Sequence, residues 1–327
     1  MTASKHLKQL IRARMARTGE SYTAARMHVL DRPAGIALTP AYTIDAHGRH
    51  GQAVSFSPDS RMLASGGQDA AVRFWNTADG AAAFALEGHR RIVNDVLLPD
   101  AATAISASSD RTVRVWDLRS RSAALTLSGH RDAVTALAWV PDARRVVSGG
   151  YDGRLRWWDT ATGECLHEVT TPLHRIADVA AVPATGHVLS AGSGGQIVVH
   201  DLATGDESGR FDTAAPGVVG LAVSPDGDVV AAAGHDGAVT VWAAPAWDLL
   251  RRIDVGARAS AVDISADGRL LAAAWDHHVG VWTLDDDAPA VTGKLAIKGV
   301  YAVAFSADGR HLAQTGADGR VRCWRLR

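Results

Sequence analysis

The sequence predicts an all-β fold, a seven-bladed β-propeller of four-stranded antiparallel blades, on three observations. The stretch Gly129–Asp159, GHRDAVTALAWVPDARRVVSGGYDGRLRWWD, recurs in recognisable form seven times. The residue six places after each tight turn is Trp75, Trp116, Trp158, His200, Trp242, Trp282 and Trp324, at steps of 41, 42, 42, 42, 40 and 42. Each period also holds four short runs of strand character. One such sheet cannot bury both faces alone, so neighbours must stack on it.

Residues 1–35 stand outside the repeat and predict a basic helical hairpin. Leu7, Leu10, Ile11 and Met15 form one helical stripe, Thr18-Gly19-Glu20 interrupts it, and Ser21 caps a second helix carrying Tyr22, Ala25, Val29 and Leu30, which Pro33 and Gly35 stop. Lys5, Lys8, Arg12, Arg14, Arg17, Arg26 and Arg32 face only Glu20 and Asp31 there. Two readings follow, a solvated amphipathic extension or a surface for nucleic acid or an acidic partner.

Residues 36–327 form the propeller domain. Ala41–Asp45 reads as an outer strand, because Tyr42-Thr43-Ile44-Asp45 before Ala46-His47 matches Ala124-Leu125-Thr126-Leu127 before Gly129-His130. In the third copy Ala133–Trp139 alternates until Pro141-Asp142, Arg145–Gly149 follows, Tyr151-Asp152-Gly153 turns the chain, and Leu155–Asp159 and Cys165–Val169 complete four strands. The last copy stops at Arg327 after its third strand, so Tyr42–Asp45 is expected to pair with Val321–Leu326 and close the ring.

The polar residues of the repeat can form a buried chain of hydrogen bonds. An indole N–H donates to a hydroxyl, the hydroxyl to one imidazole nitrogen, and the other nitrogen to a carboxylate. The candidate quartets are His47, Ser65, Asp69 and Trp75; His89, Ser106, Asp110 and Trp116; and His130, Ser148, Asp152 and Trp158. With Gly88-His89, Gly129-His130, Trp116-Asp117 and Trp158-Asp159, the chain resembles the WD-repeat family over roughly residues 40 to 327. The fourth copy keeps Ser190 but has Gly194 and His200. Copies five to seven keep Asp236 and Trp242, Asp276 and Trp282, Asp318 and Trp324, yet place Ala232, Ala272 and Gln314 at the hydroxyl. Those blades are expected to rely on packing alone.

Composition bounds the function. Of 327 residues 47% are hydrophobic, enough for a large core, with 34 basic against 35 acidic residues. Cys165 and Cys323 supply no disulfide framework, and no apolar run marks a membrane span or signal peptide, so a reduced, cytoplasmic protein is expected, with a bacterial, high-GC composition. No catalytic group, metal site or cofactor is expected. The His residues recur one per blade, His277-His278 reads as a polar turn, and Asp285-Asp286-Asp287 lacks the Gly and distal Glu of a calcium loop. Gly192-Ser193-Gly194-Gly195 lacks the Lys and hydroxyl of a phosphate loop.

The resemblance implies a non-enzymatic scaffold, monomeric as a propeller, that takes a protein or peptide partner on the face built by the loops before the first strands and the turns after the second. Carried onto this sequence, those positions are Gln68, Tyr151, His235 and Trp275 on the turns, and His50, Gln52, Asn94, Arg175, Arg258 and Tyr301 on the lead-in loops and first strands. Tyr151, Trp275 and Tyr301 beside arginine have the composition of binding hot spots. The alternatives are a nucleic-acid-associated regulator using residues 1–35, with the propeller as recruitment platform, and, last, a propeller enzyme of lactonase, lyase or quinoprotein type.

Overall fold

A computed structural model describes residues 36–284, 291–294 and 299–327. The expected helical hairpin and Asp285-Asp286-Asp287 lie outside the described residues. The described residues form seven sheets of four antiparallel strands. Blade 1 runs Gly51–Phe56, Met62–Gly67, Val72–Asn76 and Ala82–Leu86; blade 2 begins at Val93–Leu97, blade 3 at Val134–Val140, blade 4 at Ile176–Val182, blade 5 at Val218–Val223 and blade 6 at Ala259–Ile264. Blade 7 takes Val300–Phe305, His311–Gly316 and Arg320–Leu326, with Leu38–Asp45 as its outer strand. Among the described residues helical structure is limited to 3-10 turns at Pro141–Ala143 and Pro183–Thr185, and no helix is long and apolar enough to cross a membrane.

The first strands touch in succession, and that of blade 7 touches that of blade 1, so the ring closes. One apolar cluster fills each of the seven junctions. Between blades 1 and 2, for example, Ala64, Val72, Phe74 and Leu86 meet Val93, Val96, Ala104 and Trp116. Gly149 illustrates how closely blades approach, since a Cβ there would lie 2.6 Å from Val179 Cγ2 and 2.7 Å from Ile176 Cγ2.

Closure follows the expected pairing and extends it. Tyr42, Thr43, Ile44 and Asp45 pair with Cys323, Arg322, Val321 and Arg320; Leu38, Thr39 and Pro40 continue along Leu326, Arg325 and Trp324 past an irregularity at Ala41. A proline on an outermost strand removes no ladder bond from the interior. Tyr42 Oη also donates to the Thr77 carbonyl of blade 1 at 2.8 Å, tying this strand to the next sheet.

Packing alone does not hold blades 5 to 7, which corrects the sequence expectation. Their turns between first and second strands carry Ser224-Pro225-Asp226, Ser265-Ala266-Asp267 and Ser306-Ala307-Asp308, as Ser57-Pro58-Asp59 does in blade 1. In each, the serine hydroxyl donates to the aspartate at 2.5 to 2.6 Å and accepts the N–H that opens the second strand at 2.9 to 3.0 Å. The aspartate accepts a further N–H two residues on. A nearly buried hydroxyl therefore satisfies the tight turn locally.

Candidate functional site

Two polar systems stiffen the ring beneath the candidate face. In blades 1, 2 and 3 the indoles of Trp75, Trp116 and Trp158 donate to Ser65, Ser106 and Ser148 at 2.9, 2.8 and 2.8 Å. Those hydroxyls meet Nε2 of His47, His89 and His130 at 2.9, 2.7 and 2.7 Å, and the Nδ1 atoms meet Asp69, Asp110 and Asp152 at 2.7, 2.9 and 3.1 Å. Burial opposes ionisation of Asp110, but bonds from His89, Thr112 and the Arg90 N–H outweigh it and hold the carboxyl well below the usual range. Against the same opposition from burial, His47 and Arg73 lower Asp69, and His130 and the Arg131 N–H lower Asp152.

Blade 4 keeps a shortened version. Ser190 Oγ bonds His200 Nε2 at 3.3 Å while the His200 Nδ1 donates to the Gly205 carbonyl at 3.3 Å, and burial lowers the imidazole pKa. In blade 7, Gln314 replaces the serine, fully buried, and neither of its amide atoms has a partner.

The second system was missed by sequence reasoning. Asp95, Asp178 and Asp263, on the first strands of blades 2, 4 and 6, each accept the N–H of the following residue and one N–H of the next blade: Leu137 at 2.8 Å, Leu221 at 2.7 Å and Phe305 at 2.7 Å. Each carboxylate thus clasps two blades. Burial, partly offset by these N–H bonds, pushes Asp95 up to about 6 and Asp178 and Asp263 up to about 7. Asp95 and Asp178 also repel one another, which adds to the rise at Asp178.

A cavity of ≈ 680 Å³ opens among the first strands, with Asp95, Asp178, Thr135 and Ser260 in its wall. Six of the expected residues line it: Gln52, Asn94, Tyr151, His235, Arg258 and Tyr301. Three pairs form at its mouth. The Arg175 guanidinium lies 5.0 Å from the Tyr151 ring centroid, His50 stacks on Tyr301 at 5.9 Å, and Arg258 Nη2 donates to His235 Nε2 at 2.9 Å. The last bond uses the imidazole lone pair; burial first, and then the Arg258 charge, lower the His235 pKa accordingly.

Other expected residues are placed differently. Asn94, although it lines the cavity, spends its amide on the Val134 carbonyl at 2.7 Å and on Ser109 at 3.0 Å, which ties blade 2 to blade 3. Gln68 is exposed on its turn, and neither it nor Arg175 nor His50 lines the cavity. Trp275 folds back on its own blade, 5.6 Å from the His278 ring and 5.7 Å from Trp282, where Gly280 leaves room for the indole. It is a half-buried packing residue of the junction between blades 5 and 6, not an exposed aromatic of the mouth.

A family model described as "WD domain, G-beta repeat" matches residues 38–76, 82–117, 122–159, 207–243 and 293–325, together more than half of the chain. Two longer intervals are unmatched: 160–206, which contains most of blade 4, where Gly194 and His200 break the pattern, and 244–292, which contains most of blade 6, where Ala272 replaces the serine. No curated protein matches the chain.

Proposed function

Because the chain belongs to the WD-repeat family, whose propellers typically serve as protein-interaction scaffolds, we propose that it holds a protein or peptide partner at the mouth of its central cavity. One observation carries this reading. Among the described residues the large hydrophobic side chains left exposed are Tyr151 at 42%, Tyr301 at 36% and Leu249 at 64%, and both tyrosines stand at the mouth. An aromatic ring left in water beside arginine supplies large contact area at little loss of side-chain entropy. Arg175 beside Tyr151 and His50 beside Tyr301 hold the rings in place before any partner arrives, which reduces the ordering cost of association.

Affinity capture with the full chain and quantitative mass spectrometry tests this. A partner enriched by the wild type is expected to be lost with Tyr151→Ala/Tyr301→Ala, while the melting temperature stays within a few degrees. A capture profile unchanged by that double substitution, but lost with Asp100→Arg at the opposite end of the ring, would overturn the assignment.

A further inference from the structure

The mouth end of blades 1 to 4 carries arginines in unbroken succession. Arg49 precedes blade 1, Arg90 and Arg91 precede blade 2, Arg111 lies on its turn, Arg131 precedes blade 3 and Arg175 precedes blade 4; all are exposed. Backbone bonds fix their place. The N–H groups of Arg90 and Arg131 donate to Asp110 and Asp152 at 2.9 Å, that of Arg111 to the Ser108 carbonyl at 3.1 Å, and the Arg175 carbonyl accepts from Ser193 at 3.3 Å.

Other arginines of this end are already engaged. Arg73 pairs with Asp69, Arg252 with Asp236, Arg320 with Asp45 and Arg322 with Asp318. Among the described residues none of the arc's guanidiniums lies in an ion pair. From the start of blade 1 to the start of blade 4, three of this end's carboxylates, Asp69, Asp110 and Asp152, are tied to His47 with Arg73, to His89 and to His130. That leaves Glu87 and Asp132 as its other exposed acids, with Asp95 recessed in the cavity wall.

We propose that this arc seats an extended acidic segment of the protein partner, its carboxylates forked by the arginines while one of its side chains enters between Tyr151 and Tyr301. The inference rests on the reading of the mouth as a partner site and adds the chemistry of what binds. Guanidinium forks match carboxylates two bonds at a time. A single nucleic-acid strand fits this surface less well. It needs open aromatic faces for its bases, whereas Arg175 covers one face of Tyr151 and His50 one face of Tyr301.

The test uses the full chain and three fluorescent probes: a short peptide of glutamate and phenylalanine separated by serine, its glutamine counterpart, and an oligouridylate. Anisotropy titrations compare the wild type with Arg90→Glu/Arg131→Glu, the milder Arg90→Gln/Arg131→Gln, and Tyr151→Ala/Tyr301→Ala, each checked for an unchanged melting curve. The wild type is expected to bind the glutamate peptide at least about tenfold more tightly than the glutamine one, with the preference shrinking as salt rises. Charge reversal should abolish that preference and the glutamine variant should reduce it. Equal affinity for the two peptides, no binding of either, or a preference for the oligouridylate would each overturn the inference. If capture of a partner depends on the tyrosines but not on the arginines, the mouth reading stands and this inference fails. If arginine-dependent binding of glutamate survives in the tyrosine variant, the arc stands and the mouth reading fails.

Discussion

Ser106 shows how much one hydroxyl supports. It accepts from Trp116 and bonds His89, and both partners are buried. Ser106→Ala strands two polar groups without water, so a loss of about 2–3 kcal/mol is expected in urea unfolding. Trp116→Ala should cost about 3–5 kcal/mol, since it leaves a cavity as well. Gln314 gives the opposite sign. Its amide is desolvated without a partner, so Gln314→Met, close in volume, should stabilise the fold by about 1 kcal/mol. The three quartets were legible because four residue types repeat at fixed offsets in blades 1 to 3. The fate of Trp275 was not, because its burial depends on Gly280 across the sheet, which strand alternation alone does not reveal.

At the level of strands and turns, the period and the hairpin glycines announced every blade. Gly153, at φ +69 and where an added Cβ would lie 2.6 Å from the Leu173 carbonyl oxygen, occupies a turn position where a side chain has neither the backbone nor the space it needs. The serine–aspartate turns of blades 1, 5, 6 and 7 are equally present in the sequence, but a Ser-x-Asp tripeptide is too short a signal to mark a bonded turn until the flanking strands are paired. Ser265→Ala should speed hydrogen exchange at Leu270 and its strand while leaving blades 1 to 3 unchanged, measured by exchange mass spectrometry. The Asp95, Asp178 and Asp263 clasps could not be read, since they join residues about one repeat apart only after the blades have docked. Deleting residues 1–46 removes the partner of Arg320–Leu326 and bares a sheet edge. Light scattering of that truncation should show oligomers or precipitate; a soluble monomer would contradict the role given to the closing strand.

Across the whole molecule the two carboxylate systems set opposite pH dependences. Asp95, Asp178 and Asp263 have folded pKa values raised to about 6, 7 and 7, so their contribution is complete below the unfolded value, about 4, and is lost as pH rises through those values. Asp69, Asp110 and Asp152 are depressed, so theirs is present above about 4 and fails as pH falls toward their folded values. Calorimetry should therefore find the highest melting temperature in mildly acidic buffer, and Asp178→Asn should flatten the decline toward neutral pH. A melting temperature that climbs steadily into alkaline buffer would show instead that the N–H bonds of the clasps outweigh the burial of their carboxylates. The seam of blade 7 carries one more consequence. Ala37 and Arg327 exchange backbone bonds of 2.9 and 3.1 Å at the end remote from Tyr151, so these two residues sit side by side on the face away from the mouth. Splicing these two positions with a flexible bridge would make a covalent hoop, and its break could then be moved to a turn of another blade, giving a circular permutant with the mouth unobstructed.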